Sequence, residues 1–317
     1  MKKYLILGGN GFLGKHIIER LEKENKILVA DYNINDNENT ENIKYQYLDF
    51  SKCNNFDEYM KIDNEPVDVV IHLISTITPN DDISNINKEI MDNVIPTVKL
   101  LNSCVKMKIP KIVFLSSGGA VYGEHDATPI NENEIANPIC NYGIIKYMIE
   151  KYLDLYFLNY GLNYSVVRLA NPYSEKVKNG KKQGIVPIMI DQILRNETIK
   201  IWGDGEDIRD YIYIDDAIDA IIDIINYDGN EKIFNVGTGL GCTINQLIEI
   251  IKNILFDFDI KVEYCSKRNC DVKNNILSID KINKELGWYP KVKLIDGINK
   301  VINDKLEIDL GVKYGKR

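Results

Sequence analysis

The stretch Gly8-Gly9-Asn10-Gly11-Phe12-Leu13-Gly14 follows directly on the apolar run Tyr4-Leu5-Ile6-Leu7, and no other feature of the chain restricts its fold as tightly. Glycine costs backbone entropy inside ordered structure, so the spacing 8, 11, 14 needs a reason. Alone, it reads equally as a tight turn or as the phosphate loop of a dinucleotide site. Three tests separate these readings: a strand before, a helix after, and an acid about 20 residues on. All are met. Ile17, Ile18 and Leu21 recur at helical spacing, and Asp31 closes the run Lys-Ile-Leu-Val-Ala-Asp. Gly8 then allows the turn, Gly11 lets backbone amides approach a pyrophosphate, and Gly14 lets the helix pack on the sheet. A carboxylate at Asp31 accepts hydrogen bonds from a ribose diol and repels a 2′-phosphate, which favours NAD over NADP. Asp49, at the end of Tyr-Gln-Tyr-Leu-Asp, either binds adenine or caps the next helix.

The first half of the chain repeats this alternation. Apolar runs at 26–31, 43–49, 67–75 and 111–117 read as strands, and 91–107 reads as a helix. Nearly continuous apolar strands separated by helices predict an α/β fold, a doubly wound parallel sheet of Rossmann type with ligands at the strands' carboxyl ends. The Asn- and Asp-rich segment 33–42 reads as a solvated loop. After 164–174 the alternation weakens, and a charged loop enters at 174–182. Residues 209–225 and 232–239 read as further helix and strand that return to the first sheet. The expected organisation is an NAD-binding domain over 1–168, with a return of 208–238, and a smaller C-terminal substrate-binding α/β region over 169–207 and 239–317. The last segment, 307–317, carries little core pattern and is expected to fray.

The 317 residues are 44% hydrophobic and 27% charged, as in a soluble globular protein. A formal net charge of −8 argues against a general nucleic-acid binder or an acidic-membrane binder. No apolar run approaches the roughly 20 residues of a membrane-spanning helix. Lys2 and Lys3 precede an apolar stretch, but glycines interrupt it and no cleavage pattern follows. Cys53, Cys104, Cys140, Cys242, Cys265 and Cys270 show neither Cys-x-x-Cys pairs nor partnered histidines. They are expected to be reduced thiols of a cytoplasmic protein, with no metal site.

Tyr142 and Lys146 stand four apart, on one face if the segment is helical. A tyrosine is a poor base at neutral pH, and an adjacent ammonium favours its phenolate, which makes the pair a general acid/base for a sugar or alcohol hydroxyl. The same spacing also occurs in helices where the tyrosine packs and the lysine is solvated. Ser116 and Ser117 end an apolar strand where a parallel sheet presents its active site, or else serve local backbone groups of the turn.

The order of Gly8–Gly14, Val70–Ser75, Asn93–Leu101, Phe114–Gly123, Tyr142–Lys146, Arg168–Ser174, Gly184–Pro187, Ile201–Ala217, Phe234–Gly239, Arg268–Val272 and Leu286–Pro290 resembles the extended short-chain dehydrogenase/reductases, in their NAD-dependent epimerase/dehydratase branch. The resemblance spans nearly the whole chain. It implies NAD as cofactor, with Phe12 and Leu13 offering amides to the pyrophosphate, Asp31 binding the adenosine ribose, and Asp49 and Phe50 holding adenine. Leu73, Ile74, Ser75, Asn93 and Ser116 would line the cofactor. Tyr142 would be the base, and Lys146 would bind the nicotinamide ribose and lower the tyrosine pKa. Asn171, Arg209, Arg268 and Asp271 would grip the substrate's nucleoside diphosphate, a task that suits the planar guanidinium. The implied reaction is epimerisation at C4 of a UDP-hexose or UDP-N-acetylhexosamine through a 4-keto intermediate. A 4-keto reductase or a non-catalytic sensor of NAD or sugar nucleotide are the alternatives.

The pattern departs from the family at Gly118, where a Ser or Thr usually bonds the reacting hydroxyl. Ser117 is expected to substitute, although strand alternation would point it away from the face of 118. Ile145 replaces a usual Ser or Thr. Gly119 and Ala120 stand where dehydratases carry an Asp-Glu pair, which argues against a 4,6-dehydratase. Asn275 aligns with a bulky tyrosine of some members, so its smaller size favours N-acetylated sugars. The helices around 97–107 and 147–158 have broad apolar faces; they serve packing on the sheet, or the homodimer that the resemblance implies.

Overall fold

A computed structural model describes residues 1–34, 39–79, 85–126, 128–175, 184–268 and 271–310, with side chains to 307. Parts of the loops read at 33–42 and 174–182, Cys270, and 311–317 lie outside the described residues. The chain divides into two compact units, Met1–Gly123 with Ile135–Arg168 and Ile221–Phe234, and Glu124–Glu134 with Leu169–Ala220 and Asn235–Arg317.

The first unit is organised on a seven-stranded sheet in the order Ile233–Val236, Asn163–Leu169, Lys111–Ser117, Val69–His72, Lys3–Leu7, Lys26–Asp31, Ile43–Tyr47. From Lys111–Ser117 to Ile43–Tyr47 every pairing is parallel. The chain builds outward from Lys3–Leu7 in one direction, then reverses and adds Val69–His72 on the other side. That reversal is the switch point at which doubly wound sheets bind ligands. The strand patterns explain themselves: Tyr4, Leu5, Ile6 and Leu7 are all at most 1% exposed, because both sheet faces are covered. On one face, Leu100, Leu101 and Cys104 of the helix Ile95–Lys106 and Ile145, Ile149 and Leu153 of the helix Asn141–Tyr160 pack into one cluster with Ile112 and Phe114.

Two helix ends in this unit have distinctive chemistry. The helix Asn141–Tyr160 stops at Gly161, whose φ of +69° is the left-handed conformation that glycine tolerates without a Cβ penalty. The helix Ile214–Asn226 ends on Lys111, whose buried Nζ donates to the carbonyls of Ile224, Ile225 and Tyr227 at 2.8, 3.2 and 2.5 Å. A cation there meets the negative end of the helix dipole, while burial pulls the amine down to about 8.

In the second unit the strand Ile208–Tyr213 pairs antiparallel with Gly241–Thr243 and parallel with Asn274–Asn275 and Asn171–Tyr173. The strands Ile199–Trp202 and Val262–Cys265 form a separate parallel pair. The helix Ile244–Ile254 begins with a reciprocal cap, in which Thr243 Oγ1 accepts from the Gln246 amide and Gln246 Oε1 accepts from the Thr243 amide. Fraying was expected from residue 307. Instead, the helix Leu294–Leu310 continues to 310, anchored by the buried Ile298, Val301, Ile302 and Leu306. Among the described residues no helix is long and apolar enough to cross a membrane.

The glycine loop depends on a close approach. A Cβ on Gly14 would stand 2.5 Å from both Cα and O of Gly9, so the helix Phe12–Leu21 rests directly on the preceding turn. Gly14→Ala is therefore expected to lower unfolding free energy by about 1–3 kcal/mol, the usual cost of overpacking, measured by urea denaturation. A loss under about 0.5 kcal/mol, ordinary for an open surface site, would contradict the close approach.

Candidate active site

The glycine loop is built to receive an anion. Gly8 adopts φ +81°, and a Cβ there would meet Ile74 Cγ1 at 3.0 Å, so only glycine lets this turn lie against the segment that follows Val69–His72. Gly11 precedes the helix Phe12–Leu21 in extended conformation, and no side chain caps the helix. The first amides, those of Phe12, Leu13 and Gly14, are thus left for an external acceptor at the positive end of the dipole. Asp31 ends its strand with both carboxylate oxygens engaged: Oδ2 accepts from the Asn10 amide and Oδ1 from the Asn33 amide, each at 3.0 Å. Asn10 Oδ1 is buried without a hydrogen-bond partner beside them. An uncapped helix start, a cradle that a Cβ would fill and an oriented carboxylate together fit a dinucleotide.

The other candidate cofactor residues are placed differently. The Leu73 amide donates to Leu7 O at 3.0 Å, and Ser75 is exposed with its hydroxyl on Ile77 O at 2.9 Å. Asn93 is 3% exposed and lies in a π-helical turn, Ile90–Val94. Its Oδ1 accepts from the Thr76 amide at 2.9 Å, and its Nδ2 donates to Thr76 Oγ1 at 2.7 Å and Glu89 O at 2.8 Å. The side chain therefore clamps the segment Leu73–Ile77 onto the helix. Asp49 accepts from Ser51 Oγ at 2.8 Å and pairs with Lys52 at 2.9 Å, and the Lys52 bond holds its carboxyl below the usual range. The Phe50 ring is turned into the core, 5.4 Å from Phe56 and 5.0 Å from His72.

The strand Lys111–Ser117 and the helix Asn141–Tyr160 bring the reactive side chains together. The strand stops at Ser117, which caps a short helix Gly118–Val121 by accepting from the Ala120 amide at 3.2 Å. Strand alternation therefore does not extend to 118, and the Ser117 hydroxyl is placed to act on that of Tyr142. The helix can come this near because Gly143 has no Cβ: one would stand 2.3 Å from Ala120 O. Glu89 accepts from Asn141 Nδ2 at the helix start. Lys146, 3% exposed, donates to Leu115 O at 2.9 Å, with Nζ 4.8 Å from the Phe114 ring centre and 5.7 Å from that of Tyr142.

Burial dominates the protonation of this pair. It pushes the Tyr142 hydroxyl up to about 12, against a smaller lowering by Ser117. It pulls Lys146 down to about 7, partly offset by the charge of Glu150. The lowering by lysine that the resemblance implies is set against this burial, with Lys146 Nζ turned onto the Leu115 carbonyl.

In the second unit, Asn171 and Arg209 lie on paired strands, and Asn171 Nδ2 donates to Asp210 O at 2.9 Å. Asp210 is fully buried; its carboxylate accepts from the Thr238, Gly239 and Leu277 amides and from Thr238 Oγ1, while burial raises its pKa. Asn275, also fully buried, is the register partner of Arg209. Arg268 lies over the Trp202 ring at 4.3 Å, and the Asp271 amide donates to Arg268 O at 3.4 Å. Asp207 joins the two basic segments, pairing with Lys267 at 2.7 Å and Arg209 at 3.9 Å.

Several contributors escaped the sequence reading. Glu150 follows Lys146 by four residues on one helix, a detectable spacing, whereas Asp207, Asp210 and Arg168 carry no local pattern and act only through tertiary neighbours. No group of metal-ligating side chains occurs among the described residues.

Comparison with known proteins identifies the family. The profile of the "NAD dependent epimerase/dehydratase family" matches residues 4–237. A Methanocaldococcus jannaschii protein named "Putative UDP-glucose 4-epimerase" is 36% identical, with 94% of this chain and 97% of that one covered. An Escherichia coli dTDP-4-dehydro-6-deoxyglucose reductase is 34% identical, with 94% and 96% covered. The crystal structure of Thermotoga maritima UDP-glucose 4-epimerase with UDP-glucose superposes with a TM-score of 0.86 at 32% identity, covering 96% of this chain and 99% of that one. With the glycine loop, the oriented Asp31 and the serine, tyrosine and lysine all in place, the chain belongs to the NAD-dependent epimerase/dehydratase family.

Proposed function

We propose that the chain is an NAD-dependent enzyme that inverts C4 of a nucleotide sugar, a UDP-hexose or UDP-N-acetylhexosamine, through a 4-keto intermediate. The observation that carries this reading is Tyr142 and Lys146 on one helix face, 5.7 Å from ring centre to Nζ, beside Ser117 at the carboxyl end of the strand Lys111–Ser117. The UDP-glucose 4-epimerase names among the similar proteins support it.

The amides of Phe12 and Leu13 would hold the cofactor pyrophosphate and Asp31 its adenosine ribose, with Asp49 and the Phe50 backbone toward adenine. Leu73, Ile74, Ser75 and Ser116 form its lining, and Asn93 supports it through Thr76. When bound, the nicotinamide supplies the acceptor of the C4 hydride and, once the sugar has turned, its donor. Tyr142 takes the proton of the sugar 4-hydroxyl and later returns it, and Ser117 orients the phenolic oxygen. Lys146 as ammonium favours the phenolate. That pairing has the same proton count as neutral tyrosine with neutral lysine, so the active form appears once the pair has lost one proton. Arg209, Arg268, Asn171 and Asp271 take the nucleoside diphosphate.

The E. coli relative named as a reductase favours a second reading, a 4-keto reductase that consumes external reduced nicotinamide. For assembly we propose a homodimer: Ile95, Leu155 and Leu158 are at least 36% exposed on the helices Ile95–Lys106 and Asn141–Tyr160, apolar surface for a second copy to cover. The free thiols suit a cytoplasmic setting.

Purified protein given UDP-glucose, UDP-galactose and their N-acetyl forms should interconvert C4 epimers with no added nicotinamide. Dependence on stoichiometric NADPH would instead establish the reductase. Tyr142→Phe should lower turnover by about 10²–10⁴-fold, the range for a lost general base, with NAD affinity by calorimetry unchanged. Lys146→Met tests the buried amine. Below pH 7 the folded and unfolded wild type both carry its proton, and the burial cost is complete. Between about 7 and 10.5 only the unfolded chain keeps it, so wild-type stability gains as pH rises. In urea unfolding the variant should exceed wild type at pH 6, with the advantage shrinking toward pH 10.5. A pH-independent difference would contradict the burial of a charged lysine.

A further inference from the structure

The face of the helix Asn141–Tyr160 that carries Tyr142 and Lys146 continues, at the same four-residue spacing, to Glu150. Glu150 is 3% exposed and fully enclosed by polar partners. Its Oε1 accepts from Ser116 Oγ and, at 3.3 Å, from Arg168 Nε; its Oε2 accepts from Arg168 Nη2 at 2.7 Å. Arg168, on the strand Asn163–Leu169 and also 3% exposed, lies over the Tyr122 ring at 4.7 Å. Ser116 adjoins Ser117. One carboxylate thus ties the helix of Tyr142 and Lys146 to the strand end that delivers Ser117.

A buried ion pair is weak evidence for stability, since desolvation offsets much of the attraction. Its position suggests a different use. We propose that Glu150 is a positioning residue for the proton transfer: held by Arg168 and Ser116, its carboxylate favours the ammonium form of Lys146 and fixes the strand end at Ser117. This rests on the epimerase reading above.

Among the described residues no other anion acts on Lys146 to favour its proton. From its own helix come Tyr142 and Glu150; from the strand Lys111–Ser117 come the Leu115 carbonyl and the Phe114 ring. His72, from the strand Val69–His72, feels the Lys146 charge, and burial pulls that imidazole down to about 3, so it stays neutral. The strand Asn163–Leu169 contributes Arg168, which bonds Glu150, and Tyr164, on which Glu150 acts. Among the charges acting on Lys146, Glu150 is the one that favours its proton.

The consequence has a definite sign. Without the carboxylate, Lys146 releases its proton at lower pH, and the form with ammonium and phenolate becomes rarer among singly deprotonated states. In Glu150→Gln, kcat should fall by about tenfold on the alkaline plateau, equivalent to one pKa unit of lost interaction. The acid limb of kcat/KM should move about one unit lower, while KM for the UDP-sugar stays within about twofold. Titration of the Lys146 13Cε resonance, assigned with Lys146→Met, should show the same downward shift without reference to turnover. If the single variant does not fold because Arg168 is stranded, Glu150→Met with Arg168→Met removes both charges, a replacement that buried pairs tolerate. That double variant should show the same two shifts. A folded variant that keeps the wild-type acid limb and lysine titration would overturn the proposal, even if uniformly less active. Absence of epimerisation by the wild type would refute the epimerase reading instead, and the lysine titration would still decide the role of Glu150.

Discussion

The chemistry of the first unit depends on one contact, the seating of the helix Asn141–Tyr160 against the end of the strand Lys111–Ser117. Gly143 makes it possible by bringing the helix onto the Ala120 carbonyl with no Cβ between them. Three contacts then follow in order along the interface: Tyr142 with Ser117, Lys146 with the Leu115 carbonyl, and Ser116 with Glu150. Each sets the next because helical spacing and strand spacing are both fixed, so a shift of the helix would break all of them together. Beyond them, Ile145, Ile149 and Leu153 join the sheet's apolar cluster and hold the helix in register.

This seating places ionisable groups where water would ordinarily compensate them. A tyrosine near 12 and a lysine near 7 are both displaced by burial. The two displacements favour neutral tyrosine beside neutral lysine over phenolate beside ammonium, so the form that can take a proton from a substrate hydroxyl depends on the charges that act on the pair. The Glu150 carboxylate bonds the Arg168 guanidinium and also acts on the lysine.

The architecture of the first unit was legible because local patterns there agree with tertiary outcome. Strands such as Tyr4–Leu7 are apolar throughout since both faces are covered, and the glycine spacing encodes a contact within a single turn. Tyr142 and Lys146 were legible for the same reason, being neighbours on one helix. Ser117 was harder, because its direction depends on where the strand stops, and that is set by the cap it makes to Ala120. Phe50 entered through the resemblance alone, and its ring packs in the core with Phe56 and His72. Asn93 had the right neighbourhood but works through Thr76. Asp207, Asp210 and Arg168 were silent, since each meets partners about 18 to 67 residues away in sequence and no local pattern records such pairings.

The double engagement of Asp31 bears on how coenzyme preference could evolve. Its two oxygens already fasten the amides of Asn10 and Asn33. Replacing it with a small neutral residue, to admit a phosphorylated ribose, would also release the glycine turn from the second strand. A shift toward the phosphorylated dinucleotide is therefore not one change but several. New anchors for both amides must arise alongside any new cation, and this linkage makes the present preference resistant to drift.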